Sequence, residues 1–118
     1  MAKRYAVVVG AVLTLIGILG FVRAEMFGLH FNTIHNVIHL LSGVIGLWAG
    51  LGGGAKGAKM FAQVFGVVYT LVALVGFAGV PAFLTTMLDL NTLYNVIHLA
   101  VGLLGLLAGF TAAKTGAA

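Results

Sequence analysis

Four long apolar segments constrain the fold of this chain more than any other feature of its sequence. They cover residues 5–22, 33–51, 60–77 and 93–111, so each has 18 or 19 residues. As α-helices, at about 1.5 Å per residue, they would be about 27 to 29 Å long, close to the roughly 30 Å hydrocarbon core of a bilayer. Each segment is therefore predicted to be a transmembrane helix.

The composition supports a membrane protein. Apolar residues make up 62% of the 118 residues and charged residues 7%, with a mean hydropathy of +1.19, whereas a soluble domain carries about a quarter charged residues. The chain has no Cys, which excludes disulfides, thiolate metal sites and thiol nucleophiles. We therefore predict an all-α fold, a bundle of four transmembrane helices in a single membrane domain over residues 1–118.

The distribution of charge predicts the orientation in the membrane. An even number of spans places both termini and the second loop on one side, and that side receives five of the six basic residues: Lys3, Arg4, Lys56, Lys59 and Lys114. The other side receives Arg23, Glu25 and Asp89. The positive-inside rule then predicts a multi-pass protein of the cell inner membrane with cytoplasmic N and C termini. The scattered basic residues predict contacts with anionic lipid headgroups and no nucleic-acid partner.

The two halves of the chain resemble each other. Residues 32–40 align with residues 91–99 at an offset of 59, and residues 6–21 align with residues 62–77 at an offset of 56. Each half is thus predicted to be one helical hairpin, with the first repeat at about residues 1–54 and the second at about residues 55–118. Two spans return the chain to the same side of the membrane, so the tandem repeats are predicted to have parallel topology.

A stripe of polar and small residues runs along the second predicted helix and recurs on the fourth. Its first part is a polar seam of amides and imidazoles: Asn32, Asn36, His39, Asn91, Asn95 and His98. Its second part consists of glycines: Gly43, Gly46, Gly50, Gly102, Gly105 and Gly109. The spacings alternate between three and four residues, as in the seam of a helix pair, and small residues let helices approach closely in a bilayer. The second and fourth helices are therefore predicted to pack on each other.

The polar seam also predicts local hydrogen bonds. Asn32 and Asn91 stand just before the apolar segments and are predicted to be N-caps. His39 and His98 then lie seven residues inside the helices, about 10 Å from the helix ends. We expect both imidazoles to be neutral, because burial disfavours the charged form, and to bond to the neighbouring amides of the seam or to each other.

The motif Asn-x-x-His-Leu-x-x-Gly-x-x-Gly occurs in both halves, beginning at Asn36 and Asn95. With an Asn four residues before each copy, it resembles the small four-helix integral membrane proteins of the domain of unknown function 4383 family, over nearly the whole chain. In the second copy Tyr94 stands at the position of His35, which favours His39 and His98 over His35 as residues of a shared site. The resemblance implies the four-helix fold and no particular activity.

Three hypotheses address the function of the polar seam. The first is structural: hydrogen bonds and glycine contacts hold the second and fourth helices in register. The second is binding of a tetrapyrrole, haem b or a chlorophyll-type pigment, because neutral imidazole is a common axial ligand and two facing imidazoles can clamp one metal. The candidate ligands are His39, His98 and His35. The third is passage of protons or small ions along the seam.

Metal binding and catalysis are disfavoured by the sequence. A Zn or Cu site would draw on His30, His35, His39 and His98, but no buried carboxylate or thiolate completes it. The only Ser, Ser42, has no acid in reach within the membrane, so no catalytic residues are predicted. We expect no enzyme activity, no metal and no cofactor.

The small size of the chain predicts that it acts with a partner. A protein of 12.1 kDa with little surface outside the bilayer is expected to be a structural or accessory subunit of a larger membrane complex, or a homo-oligomer. Aromatic residues predicted to face lipid offer contacts for such a partner: Phe61, Phe65, Phe83 and Phe110.

Overall fold

A computed structural model describes residues 1–26 and 28–111, so Lys114 and the end of the predicted second repeat lie outside the described residues. Its elements are α1 Ala2–Val22, β1 Glu25–Met26, β2 Leu29–His30, α2 Thr33–Gly52, α3 Gly54–Ala78, α4 Ala82–Met87 and α5 Thr92–Thr111. Among the described residues, α1, α2, α3 and α5 are long and apolar enough to span a membrane. The prediction of four membrane-spanning helices is confirmed in length and composition.

The second loop is much shorter than the sequence predicts. Only Gly53 separates α2 from α3, and its backbone N–H donates to the Ala49 carbonyl at 3.2 Å. Gly54 follows with a φ of +69°, a left-handed conformation that glycine adopts without steric cost. The connection over residues 52–59 that the segment bounds imply is therefore reduced to one residue, and Lys56 and Lys59 lie in the first turns of α3.

The other two connections contain short elements that the sequence analysis does not predict. β1 and β2 pair as a two-stranded antiparallel sheet with Glu25 opposite His30. The connection between α3 and α5 contains the six-residue helix α4. Side chains of each connection bond to the other, as described below, so both cover the same end of the bundle. We call this end the loop end, and the opposite end the Gly53 end.

The extensive helix interfaces are α1 with α2 and α3 with α5. In the first, a Cβ placed on Gly46 would lie 3.0 Å from the Gly10 Cα. In the second, a Cβ placed on Gly105 would lie 2.8 Å from the Gly66 Cα. The glycine stripes of α2 and α5 therefore pack within their own hairpins, against matching small residues of α1 and α3.

The prediction that the second and fourth helices pack on each other is wrong. They are α2 and α5, and they occupy opposite corners of the bundle, with smaller interfaces between α1 and α3, α2 and α3, and α1 and α5. The physical reason is that all four long helices carry a small-residue face. Each glycine stripe consequently has a complementary partner inside its own hairpin, where the connection already holds the two helices together.

Aromatic side chains fill the centre of the bundle towards the Gly53 end. The rings of Tyr5 and Phe61 lie 6.1 Å apart, and the Tyr5 hydroxyl donates to the Val101 carbonyl at 2.9 Å. Phe61 is 5% exposed, so the prediction that it faces lipid is wrong, whereas Phe83 and Phe110 do face outward. Phe65 is partly buried and stacks on Phe61.

Candidate functional site

Asn32 and Asn91 position the loop end of the bundle. As predicted, each begins its helix as an N-cap: the Asn32 Oδ1 accepts the His35 N–H at 2.8 Å, and the Asn91 Oδ1 accepts the Tyr94 N–H at 2.9 Å. Each Nδ2 then donates to the connection of the other hairpin. The Asn32 amide bonds to the Met87 carbonyl and an Asp89 carboxylate oxygen at 2.7 and 2.8 Å, and the Asn91 amide bonds to the Gly28 carbonyl at 3.4 Å. These bonds tie the two hairpins together.

Three imidazoles meet below these caps, and we call His35, His39 and His98 the histidine cluster. One ring nitrogen of each lies within 4.8 Å of those of the other two. The His35 ring centroid is 4.1 Å from that of His39 and 5.8 Å from that of His98. All three residues are buried. The structure thus brings His39 and His98 close together, as the sequence analysis expects, although their helices stand at opposite corners.

His35 has a defined protonation pattern. Its Nδ1 lies 3.1 Å from the Leu88 carbonyl oxygen, and a carbonyl can only accept, so Nδ1 donates and carries the hydrogen. In the neutral imidazole, the Nε2 nitrogen then keeps its lone pair. The sequence favours His39 and His98 over His35, because Tyr94 stands at the position of His35 in the second half, yet the structure places His35 in the cluster. The four-residue spacing between His35 and His39, which puts both on one face of α2, is the signal that identifies it.

Tyr94 and Phe31 close the loop end above the cluster. The Tyr94 ring lies 4.7 Å from that of His35 and 5.5 Å, nearly parallel, from that of His98. Its hydroxyl donates to the His30 carbonyl at 2.9 Å. The Phe31 ring approaches both His39 and Tyr94 by its edge. The cluster is therefore shielded from the solvent-facing loops by aromatic rings.

The amides of the polar seam do not bond to the imidazoles, contrary to the prediction. The Asn36 side chain lies against Gly20 of α1, where a Cβ would clash with its oxygen, and its Nδ2 donates to the Phe31 carbonyl at 3.2 Å. Asn95 lies in the same way against Gly76 of α3. Glycine is required at both positions because it leaves room for the amide. Asn36 and Asn95 thus join the helices of one hairpin.

Two imidazole nitrogens of the cluster are left without a partner. Among the described residues, the buried Nδ1 atoms of His39 and His98 have no hydrogen bond. A buried polar group without a partner costs about 1 to 3 kcal/mol. A buried cluster with two such atoms is therefore a candidate site for a ligand that satisfies them.

A cavity of about 290 Å³ lies beside the cluster, between α1 and α5. His39 and His98 in its lining are buried, whereas Val8, Val12 and Leu104 are exposed on the two helices. The imidazoles therefore lie on the inner side of the cavity and the three aliphatic residues at its opening. The remaining lining is apolar or aromatic: Val9, Leu13, Ile16, Leu29, Phe31, Tyr69, Tyr94, Ile97 and Val101. The cavity is an apolar pocket with imidazoles at its inner end.

Small side chains on α1 leave the space for this cavity. At the 56-residue offset of the sequence alignment, Val9 corresponds to Phe65 and Leu13 to Tyr69. Phe65 stacks on Phe61 with ring centroids 4.1 Å apart, and the Tyr69 ring lies 5.5 Å from that of His98. The second hairpin thus places large rings where the first has aliphatic side chains.

His30 lies outside the cluster, as the sequence analysis expects of a loop residue. It belongs to β2 and is exposed. Its Nδ1 is 3.4 Å from a Glu25 carboxylate oxygen, and its Nε2 is 3.8 Å from an Asp89 carboxylate oxygen. It therefore contributes to the polar surface of the loop end.

Comparison with known proteins agrees with the resemblance seen in the sequence. No curated protein and no solved structure matches the chain. The profile of the family described as domain of unknown function (DUF4383) matches residues 3–111, a range that contains the four long helices except for Ala2, together with the histidine cluster and the cavity. The chain therefore belongs to the DUF4383 family.

Proposed function

We propose that this protein is a multi-pass protein of the cell inner membrane, built from two tandem helical hairpins of parallel topology, with cytoplasmic N and C termini. The basic residues near the Gly53 end support this orientation: Lys3 and Arg4 begin α1, and Lys56 and Lys59 begin α3. The loop end carries Arg23 and both acids of the chain. Under the positive-inside rule the Gly53 end is cytoplasmic, and the histidine cluster lies in the half of the bundle away from the cytoplasm.

Within this membrane setting, the protein binds an apolar molecule that dissolves in the bilayer. The observation that carries this proposal is the cavity between α1 and α5, whose mouth lies among outward-facing aliphatic residues. A pocket on this surface is reached from the hydrocarbon region and not from water. Ligand sites are typically apolar pockets with a few converging polar groups, and here those groups are the imidazoles of His39 and His98.

The lining determines the chemistry of the ligand. An apolar body suits the walls, and one oxygen or metal centre suits the imidazoles, because neutral imidazole can donate a hydrogen bond, accept one or ligate a metal. A haem b or a chlorophyll-type pigment is the alternative ligand. The His35 ring, with its centroid 4.1 Å from that of His39 and 5.8 Å from that of His98, packs beside both side chains. A macrocycle is therefore better placed in the cavity, with a single axial imidazole, than between His39 and His98.

The protein acts without intrinsic catalysis, as an accessory subunit of a larger membrane complex or as a homo-oligomer. Large aromatic side chains on its outward face support association with another membrane protein. Trp48, Phe83 and Phe110 are 69%, 68% and 61% exposed. Such rings offer apolar contact area to a neighbouring helix as well as to lipid.

The proposed function is tested by filling the cavity. The double variant Val9→Phe/Leu13→Tyr copies onto α1 large side chains that the second hairpin already carries. The wild-type protein and the variant are purified in mild detergent, their absorption spectra are recorded, and the bound lipids are extracted and quantified by mass spectrometry. Leu15→Phe, on an exposed position of α1 that does not line the cavity, is the matched control.

Wild type and Leu15→Phe are expected to retain one apolar compound in near-stoichiometric amount, and the cavity-filled variant to lose most of it. A Soret band that disappears with the cavity identifies a tetrapyrrole, and a colourless extract identifies another lipid-soluble molecule. Equal amounts of the compound in the wild type and the cavity-filled variant would refute the proposal, as would a wild-type protein with no retained compound.

A further inference from the structure

The histidine cluster has the arrangement of a metal site. His35 and His39 project from one face of α2, and His98 reaches them from α5, with one nitrogen of each within 4.8 Å of the others. We propose that the cluster binds one transition-metal ion of the class that neutral imidazole ligates, represented by Zn²⁺. This inference does not depend on the ligand proposed for the cavity, because it rests on the three imidazoles and not on the apolar walls.

The distances between the nitrogens are close to those that such an ion requires. Zn–N bonds of 2.0 to 2.1 Å at tetrahedral angles place two ligating nitrogens about 3.3 Å apart. If all three nitrogens stood at the 4.8 Å limit, each would have to move inward by about 0.9 Å to reach that geometry. Rotation of the His39 and His98 imidazoles about their side-chain bonds supplies most of such a shift without movement of the helices.

The surroundings of His35 are those of a metal ligand. Its Nδ1 donates to the Leu88 carbonyl at 3.1 Å, so in the neutral ring Nε2 carries the lone pair, and the bond orients the ring. Metal-ligating histidines nearly always donate their second nitrogen in this way. Asn32 holds the segment around Leu88 through its bonds to Met87 and Asp89. The hydrogen bond that orients His35 is thus itself supported.

The unpartnered nitrogens are the second observation that points to a ligand. His39 and His98 are 5% and 4% exposed, and within the described residues their Nδ1 atoms have no hydrogen bond. Buried oxygens without a partner also occur elsewhere among the described residues, for example the Oδ1 atoms of Asn36 and Asn95, but the imidazoles are the side chains that stand together at metal-ligand distances. A bound ion would accept imidazole lone pairs that receive no hydrogen bond from the surrounding described residues.

The site has three protein ligands and one open position. His39 and His98 line the inner end of the cavity, so the fourth coordination position of the ion faces that cavity. Three histidines with an open fourth position characterise zinc sites that take water or an exogenous ligand. Because the three imidazoles are neutral, the ion keeps its full charge and favours an oxygen or anionic ligand at the fourth position.

Cobalt provides the test, because Co²⁺ replaces Zn²⁺ in tetrahedral nitrogen sites and absorbs visible light there. The full-length protein is purified in mild detergent without a polyhistidine tag and titrated with Co²⁺, and then with Zn²⁺. His98→Leu removes one ligand, and His35→Tyr removes another while inserting the residue that the second hairpin carries at the matching position. His30→Ala, which changes a histidine outside the cluster, is the matched control. Size-exclusion chromatography and circular dichroism verify the fold of each variant.

The wild type and His30→Ala are expected to bind one Co²⁺ per chain with a tetrahedral spectrum that equimolar Zn²⁺ abolishes. Loss of a residue that only orients a metal-binding side chain lowers metal affinity about 10- to 100-fold. Loss of a metal-binding imidazole itself is therefore expected to lower Co²⁺ affinity by about 100-fold or more in folded His35→Tyr and His98→Leu. A wild-type protein without a tetrahedral Co²⁺ spectrum would overturn the proposal. The same spectrum in His98→Leu and His35→Tyr would overturn it as well.

Discussion

The replacement Gly10→Ala tests the close packing of α1 on α2. A Cβ at this position would lie 2.5 Å from the backbone nitrogen of Leu47 and 2.8 Å from the carbonyl carbon of Gly46. Favourable carbon contacts begin at about 3.5 Å, so the helices would have to separate by about 1 Å. Both obstructing atoms belong to the backbone, and no rotation of a side chain relieves the clash. Overpacking of this kind costs about 1 to 3 kcal/mol, and we expect the upper end of that range.

Equilibrium unfolding in mixed detergent micelles, followed by circular dichroism, measures this loss in the free energy of unfolding. Gly52→Ala is the matched control, because a Cβ there would meet its nearest atom, in Trp48, at 3.9 Å. Alanine favours a helix over glycine by up to about 1 kcal/mol, so the control is expected to be neutral or stabilising. If the free energy of unfolding of Gly10→Ala lies within about 0.5 kcal/mol of the wild-type value, the close packing of α1 on α2 is contradicted.

Three further predictions use the same unfolding assay or metal titration. Asn32→Ala removes an N-cap and two hydrogen bonds to the other hairpin, so it is expected to lower the free energy of unfolding by about 2 to 3 kcal/mol. Asn91→Ala is expected to lower it by about 1 kcal/mol, and equal losses in the two variants would contradict the ties between the hairpins. Tyr94→His places a fourth imidazole beside the cluster and is expected to raise Co²⁺ affinity roughly tenfold, about 1.4 kcal/mol, whereas unchanged affinity would argue against the metal site. Tyr5→Phe loses one hydrogen bond and is expected to cost about 1 kcal/mol, while Phe61→Ala is expected to cost about 3 to 5 kcal/mol; a harmless Phe61→Ala would contradict its place in the core.

Much of the secondary structure could be predicted because membrane spans and N-caps are local properties. Span length follows from the hydrophobic thickness of the bilayer, and the side chains of Asn32 and Asn91 reach backbone groups only three residues away. The start of α3 could not be predicted in this way. Hydropathy reports where lipid contact begins, whereas backbone hydrogen bonds continue the helix through Lys56 and Lys59 to Gly54.

The candidate site was predictable only in part. The residues His39 and His98 were identified because imidazoles within apolar segments are costly and therefore informative. His35 was also a candidate, at four residues from His39, but its contacts with the Leu88 carbonyl and the Tyr94 ring depend on how the loop end folds. These contacts join His35 to residues that follow it by 53 and 59 positions in the chain. No pattern along one helix reports contacts of that separation.

By itself the sequence determined the number of long apolar helices, the caps that begin two of them, and the glycine stripes on the second and fourth, because these follow from hydropathy, local hydrogen bonding and helical spacing. Only the tertiary structure decided which faces meet. Several glycine faces can pair with one another at similar energy. Which two helices pair is decided by the fit of the whole interface, such as Gly10 against Gly46 and Leu47. That choice placed α2 and α5 at opposite corners, which brought three imidazoles into the space between them and left the cavity open beside the small side chains of α1.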